Sequence, residues 1–374
     1  VRRLRNLGLF ALVVVVVAVG LVLVLRRPLQ RVIGVDVDLG PGGRAELVVP
    51  DGYAASVFAE GLSSPRFMTL SADGTLLVAD PGAQRVVALP DRDGDGRADE
   101  VVEVGTGYES AHSVAFEGDG SLLVAGETRL FRLELGPDMR ERTRSVVLDG
   151  LPTGGHSTRT VAVLPDGQLL LSVGSSCNVC TEGDPRRAAI NLVPPEGGSS
   201  RPYMTGLRNA VGLWVDRATG RSWATNMGRD LMGDDLPPET VYEVIDGAHA
   251  GWPRCHAGSI PDPEFGGDDT CQGVAAPVAT FGAHTAPLAL VGWEGRLVVA
   301  LHGSWNRSEK VGYAVSWLPW DGQPAGQPEP FATGFLAAGA EAALGRPAGL
   351  AVGADGALYV SDDKAGFIYR IART

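Results

Sequence analysis

The sequence predicts an all-β, six-bladed β-propeller preceded by one N-terminal transmembrane or signal helix. A hairpin unit recurs six times between residues 65 and 361, Gly and Pro are abundant (51 and 25 of 374 residues), and one uncharged apolar run lies near the N-terminus.

The unit is a strand, a turn such as Asp-Gly, a second strand and a polar loop. Its copies cover residues 65–80, 112–124, 160–173, 211–225, 288–301 and 347–361, turning at Asp73-Gly74, Asp119-Gly120, Asp166-Gly167, Thr219-Gly220, Glu294-Gly295 and Asp355-Gly356. Asp-Gly between apolar strands signals a hairpin, because the turn needs positive φ and Gly supplies it. Spacings of about 40–50 residues are those of propeller blades, with longer insertions allowed. The wider gap between the fourth and fifth copies holds Cys255 and Cys271. No long amphipathic helix is expected in the domain, which disfavours an α/β fold. Ring closure protects the blade edges. The run Phe367-Ile368-Tyr369-Arg370-Ile371 is expected as a late strand completing a blade with N-terminal chain.

Leu7 to Leu25 carry no charge, and about 20 such residues in a helix span a bilayer core. Arg2, Arg3 and Arg5 precede the run and Arg26, Arg27 and Arg31 follow it, so the flanking charges do not set an orientation. An uncleaved signal anchor is the preferred reading, since the run is long for a signal peptide and no small-x-small site follows closely. A cleaved signal peptide is the alternative. Either exports the rest of the chain, with residues 1–25 as anchor or signal, 26–48 as linker and 49–374 as propeller. The membrane is then a partner through the N-terminal segment, and the propeller is extracytoplasmic, or secreted after cleavage.

The four cysteines agree with export. An even count favours two disulfides, 177–180 and 255–271. Zinc has only His256 beside Cys255 as a hint, and Thr181 after Cys180 rejects a Cys-x-x-Cys-His haem site. The net charge of −12 argues against a nucleic-acid partner, whose phosphates need Lys and Arg.

Function on a propeller comes from loops at one mouth of the channel. His156 in Gly154-Gly155-His156-Ser157 opens the third blade as a candidate general base, or as a histidine bonded to nearby backbone. Arg208 and Asn209 open the fourth, as anion binders or as an inter-blade clamp. Met227, Gly228, Arg229 and Asp230, leading into Gly233-Asp234-Asp235-Leu236-Pro237-Pro238-Glu239, offer oxygens to a hard cation such as Ca²⁺, or form a solvated acidic loop. Asp91, Asp93 and Asp95, with Gly96 and Asp99, copy the start of an EF-hand loop, although Val102 replaces the bidentate Glu. The other reading is a polar loop. His302-Gly303-Ser304-Trp305-Asn306-Arg307 and Arg346-Pro347 occupy corresponding blade positions, which points to one shared pocket. Trp305 is otherwise a packed aromatic.

These motifs together resemble the quinoprotein glucose/sorbosone dehydrogenase family, and its sorbosone-dehydrogenase-like branch more closely. The carriers are Gly61-Leu62-x-x-Pro65-Arg66, Gly155-His156, Gly206-Leu207-Arg208-Asn209, Gly228-Arg229-Asp230, Gly251-Trp252-Pro253 and Arg346-Pro347-x-Gly349. The resemblance covers nearly all of residues 49–374. It implies a six-bladed propeller using pyrroloquinoline quinone (PQQ) and Ca²⁺. By that resemblance His156 is the base that takes a sugar hydroxyl proton while a hydride passes to the quinone C5. Arg208 lies near the quinone oxygens, Asn209 supports that arginine and the cofactor, and Arg346 and Arg307 contact the cofactor. Met227, Gly228 and Arg229 bind the cofactor or its Ca²⁺ through backbone oxygens. Gly155 departs from the glucose-oxidising members, which have an acidic partner for the histidine there, and the family's cofactor-contacting lysine has no match around Ser304–Lys310.

The expected function is therefore PQQ-dependent oxidation of a sugar or sugar aldehyde outside the cytoplasm, with electrons passed to an unidentified membrane acceptor. The alternatives are a Ca²⁺-dependent lactonase-like hydrolase, which the scarcity of Asn where blades open counts against, and a non-catalytic glycan-binding propeller.

Overall fold

The computed structural model describes residue 40 and residues 42–374, apart from 338, 340 and 341. The expected anchor, residues 1–25, and the linker as far as residue 39 lie outside the described residues.

Six four-stranded antiparallel sheets form the expected propeller. Blade 1 covers residues 68–106, blade 2 113–148, blade 3 159–205, blade 4 213–281 and blade 5 287–332; blade 6 combines residues 347–373 with the strand Tyr53–Ala59. Each predicted hairpin unit becomes the two inner strands of one blade, as with Met68–Leu70 and Leu76–Asp80 in blade 1. The glycines of the turns sit at positive φ, +86° at Gly74 and +89° at Gly120. The preceding aspartate folds back: Asp119 Oδ1 accepts from Ser121 N at 2.9 Å, and Asp166 Oδ1 from Gln168 N at 3.0 Å. Such Asx turns explain why Asp-Gly recurs.

Ring closure joins the two ends of the described chain. Tyr53–Ala59 pairs antiparallel with Phe367–Arg373, with Tyr53 opposite Arg373 and Ala55 opposite Ile371. Blade 1 meets blade 6 as well as blade 2. The packed body begins before the expected boundary at residue 49, because Ala45 is buried, its N–H donates to Tyr369 Oη at 2.9 Å, and Val48 pairs with Thr333.

The inner strands are nearly continuous apolar runs because both of their faces are covered. Leu76 and Val78 pack toward blade 6, while Leu77 and Ala79 pack toward blade 2. The described core accordingly divides into six apolar clusters, one at each blade interface. Hydroxyls stitch neighbouring inner strands together. Thr160 Oγ1 donates to Val211 O at 2.6 Å, Thr225 Oγ1 to Leu288 O at 2.7 Å and Ser361 Oγ to Arg66 O at 2.7 Å. The loops around the channel therefore stand on a closed, cross-linked ring. Both expected disulfides are present, 177–180 and 255–271, the second stapling the insertion in blade 4.

Candidate active site

Loops that open blades 1, 3, 4, 5 and 6 enclose a cavity of about 290 Å³ at one channel mouth. Its lining includes Arg66, His156, Arg208, Asn209, Met227, Gly228, Glu239, His284, His302, Trp305 and Arg346. Residues as distant in sequence as Arg66 and Arg346 meet here because each blade returns its inner strand to the same axis.

His156 Nδ1 lies 2.9 Å from Ser175 O and 3.0 Å from Ser175 Oγ. A carbonyl oxygen only accepts, so Nδ1 carries the proton and Nε2 keeps its lone pair. Ser175 Oγ donates its own proton to Cys177 O at 2.6 Å. Burial, followed by the charge of Arg208, lowers the His156 pKa to about 4, against the pull of the Ser175 carbonyl. The imidazole is thus neutral at ordinary pH, as a base must be. The expected lack of an acidic partner has a steric cause. Gly155 sits at φ +64°, and a Cβ there would lie 2.5 Å from the Ser176 backbone. Gly174 is likewise confined, since a Cβ would lie 2.5 Å from Asn209 Oδ1 and 2.6 Å from His156 Cβ.

Arg208 is only 5% exposed. Its Nε donates to Asn178 O at 3.0 Å, and Nη2 to Asn178 Oδ1 at 3.0 Å and Asp230 Oδ2 at 2.6 Å. Asn209 does not support this arginine: Asn178 and Asp230 do, and Asn209 Oδ1 is buried with no hydrogen-bond partner. Across the cavity, Arg346 donates from Nε to His302 O at 3.0 Å and from Nη2 to Gly303 O at 2.6 Å. His302 Nε2 lies 2.9 Å from Asp363 Oδ1, and Arg66 pairs with the same carboxylate. Burial outweighs Asp363 and brings the His302 pKa to about 4. Asp363 is held far below the usual carboxylate range, since His302 and Arg66 outweigh its burial.

Several expected residues go elsewhere. The Arg229 side chain is buried away from the cavity, on Asp262 at 2.5 Å and on Glu264, a placement that leaves the role expected of its backbone oxygen untouched. The Arg307 guanidinium does not line the cavity: it pairs with Asp235 at 3.2 Å and donates to Asp234 O. These basic side chains are drawn off by acidic residues of other loops that come to them in space, Asp262 and Glu264 for Arg229 and Asp235 for Arg307. Met227 and Gly228 do line the cavity. The loop after them is not simply a solvated acidic loop, because Glu239 is buried at the start of a strand, where it accepts from Gly228 N at 2.7 Å. Burial raises the Glu239 pKa to about 7. Trp305, 46% exposed, faces the cavity rather than packing inside. In the EF-hand-like loop the carboxylates of Asp91, Asp93 and Asp95 lie within 4.8 Å of one another. Asp99 is not with them; its Oδ2 accepts from Arg92 N at 2.9 Å.

Sequence reasoning missed His284, Asn178 and the pairing of His302 with Asp363. His284 lies in no chemical motif, Asn178 is an uncharged residue inside the Cys177–Cys180 pair, and Asp363 is 61 residues from His302. The recurrence of polar pairs beside inner strands was the available signal for His302.

The donor set suits a flat polyanion with ring oxygens. Three arginines, Arg66, Arg208 and Arg346, line one cavity; Arg208 and Arg346 are each held through Nε and Nη2, and the guanidinium fork favours carboxylates and carbonyl oxygens. Asn209 Oδ1, buried and unpartnered, awaits a donor.

A family model described as TrAA12-like matches residues 47–237 and 259–374. A pyrroloquinoline quinone-dependent pyranose dehydrogenase of Coprinopsis cinerea is 27% identical over 409 residues, an alignment covering 89% of this chain and 55% of that protein. The chain thus spans about half the length of this curated relative. The holo form of the pyranose dehydrogenase PQQ domain from the same organism superposes with a TM-score of 0.78 at 25% identity, covering 89% of this chain and 98% of that one. The calcium structure of Trichoderma reesei Carbohydrate-Active Enzymes Family AA12 has a TM-score of 0.78 at 22% identity, covering 90% and 99%, and speaks to the fold alone.

Proposed function

This chain belongs to the TrAA12-like family, among the quinoprotein sugar dehydrogenases, and on that premise we propose that it is a PQQ-dependent dehydrogenase oxidising a sugar or sugar aldehyde. The observation that carries the reading is the meeting of neutral His156 with Arg66, Arg208 and Arg346 in one cavity. PQQ, when bound, supplies the acceptor for a hydride and its electron pair.

The chain's own residues do the rest. Arg66, Arg208 and Arg346 would hold the cofactor's carboxylates and quinone oxygens, and their charge favours negative charge added there. Asn209 Oδ1 would take a hydrogen bond from the bound cofactor. Met227, Gly228 and the nearby Glu239 would contribute oxygens to a Ca²⁺ shared with it, completing the six to eight ligands such an ion takes. Trp305 offers an apolar face to the sugar ring at the mouth. His156 Nε2 takes the proton of the substrate hydroxyl as the adjacent C–H bond is lost. The substrate thereby gives up two electrons: an aldose becomes a lactone, and a hydrated aldehyde becomes an acid. His156 then returns its proton to solvent.

The two disulfides suit an oxidising compartment, which supports action outside the cytoplasm, with the N-terminal segment as the membrane partner and a membrane carrier as electron acceptor. A lactonase-like Ca²⁺ site is disfavoured. Among the described residues, groups of three His, Cys, Asp or Glu side chains that could hold a metal occur only at Cys177/Cys180/Glu182 and Asp91/Asp93/Asp95, neither in the cavity. We assign the second group to a structural Ca²⁺.

The test is titration of the purified protein with PQQ and Ca²⁺, read by absorbance, then turnover with a dye acceptor against aldoses, pyranoses and sugar aldehydes. A cofactor spectrum and sugar-dependent dye reduction, lost in His156→Ala, are expected. No spectrum and no turnover would end the proposal; lactone hydrolysis without PQQ and abolished by EDTA would replace it.

A further inference from the structure

Asn178 lies between the two cysteines of the Cys177–Cys180 bridge, and it makes five hydrogen bonds to three separate segments. Its Oδ1 accepts from Arg208 Nη2 at 3.0 Å and Asp230 N at 2.8 Å; its Nδ2 donates to Asp230 O at 3.0 Å. Its carbonyl accepts from Arg208 Nε at 3.0 Å and from Trp252 Nε1 at 3.2 Å. The only other side-chain partner shown for the Arg208 guanidinium is Asp230, which Asn178 itself holds. A buried guanidinium is costly unless each donor is met, so the conformation of residue 178 decides where Arg208 can stand.

The same short segment also fixes the base. Ser175 O accepts from His156 Nδ1, Ser175 Oγ donates to Cys177 O, and Ser175 N donates to Arg208 O at 2.8 Å. His156 and Arg208 therefore hang from residues 175–178. The bridge closes over a sequence separation of 3, against 16 for Cys255–Cys271. So short a loop removes little entropy from the unfolded chain, and the consequence of the bridge is local order.

We propose that Asn178, clamped by the Cys177–Cys180 bridge, is the positioning residue for Arg208, and that this disulfide loop aligns the arginine with His156. The catalytic part of the proposal rests on the PQQ-dependent reading above; the structural part does not.

The test uses the full chain and three variants: Asn178→Ala, Asn178→Asp and the double variant Cys177→Ser with Cys180→Ser. The first readout needs no cofactor. Hydrogen exchange at the Arg208 Nη2–H group, whose partner is the Asn178 side chain, assigned through Arg208→Lys, should be slow in the wild type and at least about tenfold faster in Asn178→Ala and the cysteine variant. The second readout is PQQ affinity and kcat with Ca²⁺ present. Both should fall about tenfold or more, since small misplacements of a positioned group cost rate steeply. Asn178→Asp, which keeps the Oδ1 acceptor, should recover part of the loss. Melting temperatures should fall by only a few degrees, as one lost bond to a buried charge implies in a chain of this size. Unchanged Arg208 exchange in Asn178→Ala overturns the proposal, whatever the activities. Faster exchange with unchanged PQQ affinity and kcat overturns its catalytic part. Failure of the wild type to bind PQQ or turn over sinks the functional reading instead, and the exchange data still decide the positioning role.

Discussion

His156 is oriented by a main-chain carbonyl: its Nδ1 lies 2.9 Å from Ser175 O. A carbonyl fixes the tautomer as firmly as a carboxylate does, yet it adds no full negative charge to stabilise an imidazolium. The imidazole is therefore aimed but remains weakly basic, its pKa lowered to about 4 by burial and by Arg208.

Activity should report that pKa. His156 is an effective base only when neutral, so kcat/KM should hold as pH falls through 6.5 and drop near pH 4. His156→Ala should lower kcat by about 10²–10⁴, the usual worth of a general base, with PQQ absorbance retained. An acid limb near 6.5, or wild-type kcat in the variant, contradicts this role.

Ser175→Asp places a carboxylate where the hydroxyl meets Nδ1 at 3.0 Å. A neighbouring negative charge favours the protonated ring and raises its pKa by about a unit or more. The acid limb of kcat/KM should move up in pH accordingly. The comparison is the wild-type pH profile under the same PQQ and Ca²⁺ load.

Gly155→Asp should not supply the missing carboxylate. The residue is at φ +64° with its Cβ position 2.5 Å from the Ser176 backbone, and strain of this kind costs about 1–3 kcal/mol before the clash is added. A lower denaturation midpoint together with reduced kcat is the expected result, measured by urea unfolding and turnover.

Arg346 and Arg307 should separate in cofactor affinity. Arg346→Lys loses the fork that grips His302 O and Gly303 O, and PQQ binding should weaken by about tenfold, since lysine cannot reproduce a forked donor. Arg307→Ala, whose side chain serves Asp234 and Asp235 outside the cavity, should leave the dissociation constant within about twofold. Absorbance titration of both variants decides between them.

A structural Ca²⁺ at the Asp91–Asp95 loop should be separable from the cofactor's ion. Replacing Asp91 and Asp93 by Asn removes two of the three clustered carboxylates. Terbium luminescence from this loop should vanish, and the rise in melting temperature with Ca²⁺ should shrink, while PQQ binding persists. Unchanged terbium binding would place the ion elsewhere.

The blade count was legible because it is written locally. Each Asp-Gly turn carries its own φ requirement and its own Asx bond, and each apolar run is two strands' worth of buried faces. The strand Phe367–Arg373 and the two disulfides could be read in the same way, from neighbours in sequence. His156, Arg208 and Arg346 were found because they flank inner strands, whose ends must converge on the channel.

What local sequence could not decide was which way a side chain turns once it arrives. Arg307 and Arg346 look alike in sequence, but acidic groups of residues 234–235 reach one and leave the other facing the cavity. Asn178 reads as an ordinary loop residue, and it becomes the hinge of Arg208 only because blade 4 brings Asp230 and Trp252 to it. Turn chemistry and strand periodicity act over a few residues and so survive in a linear reading. The choice of partner for a buried charge depends on which group is nearest in space, and in a closed ring that group is often a blade away.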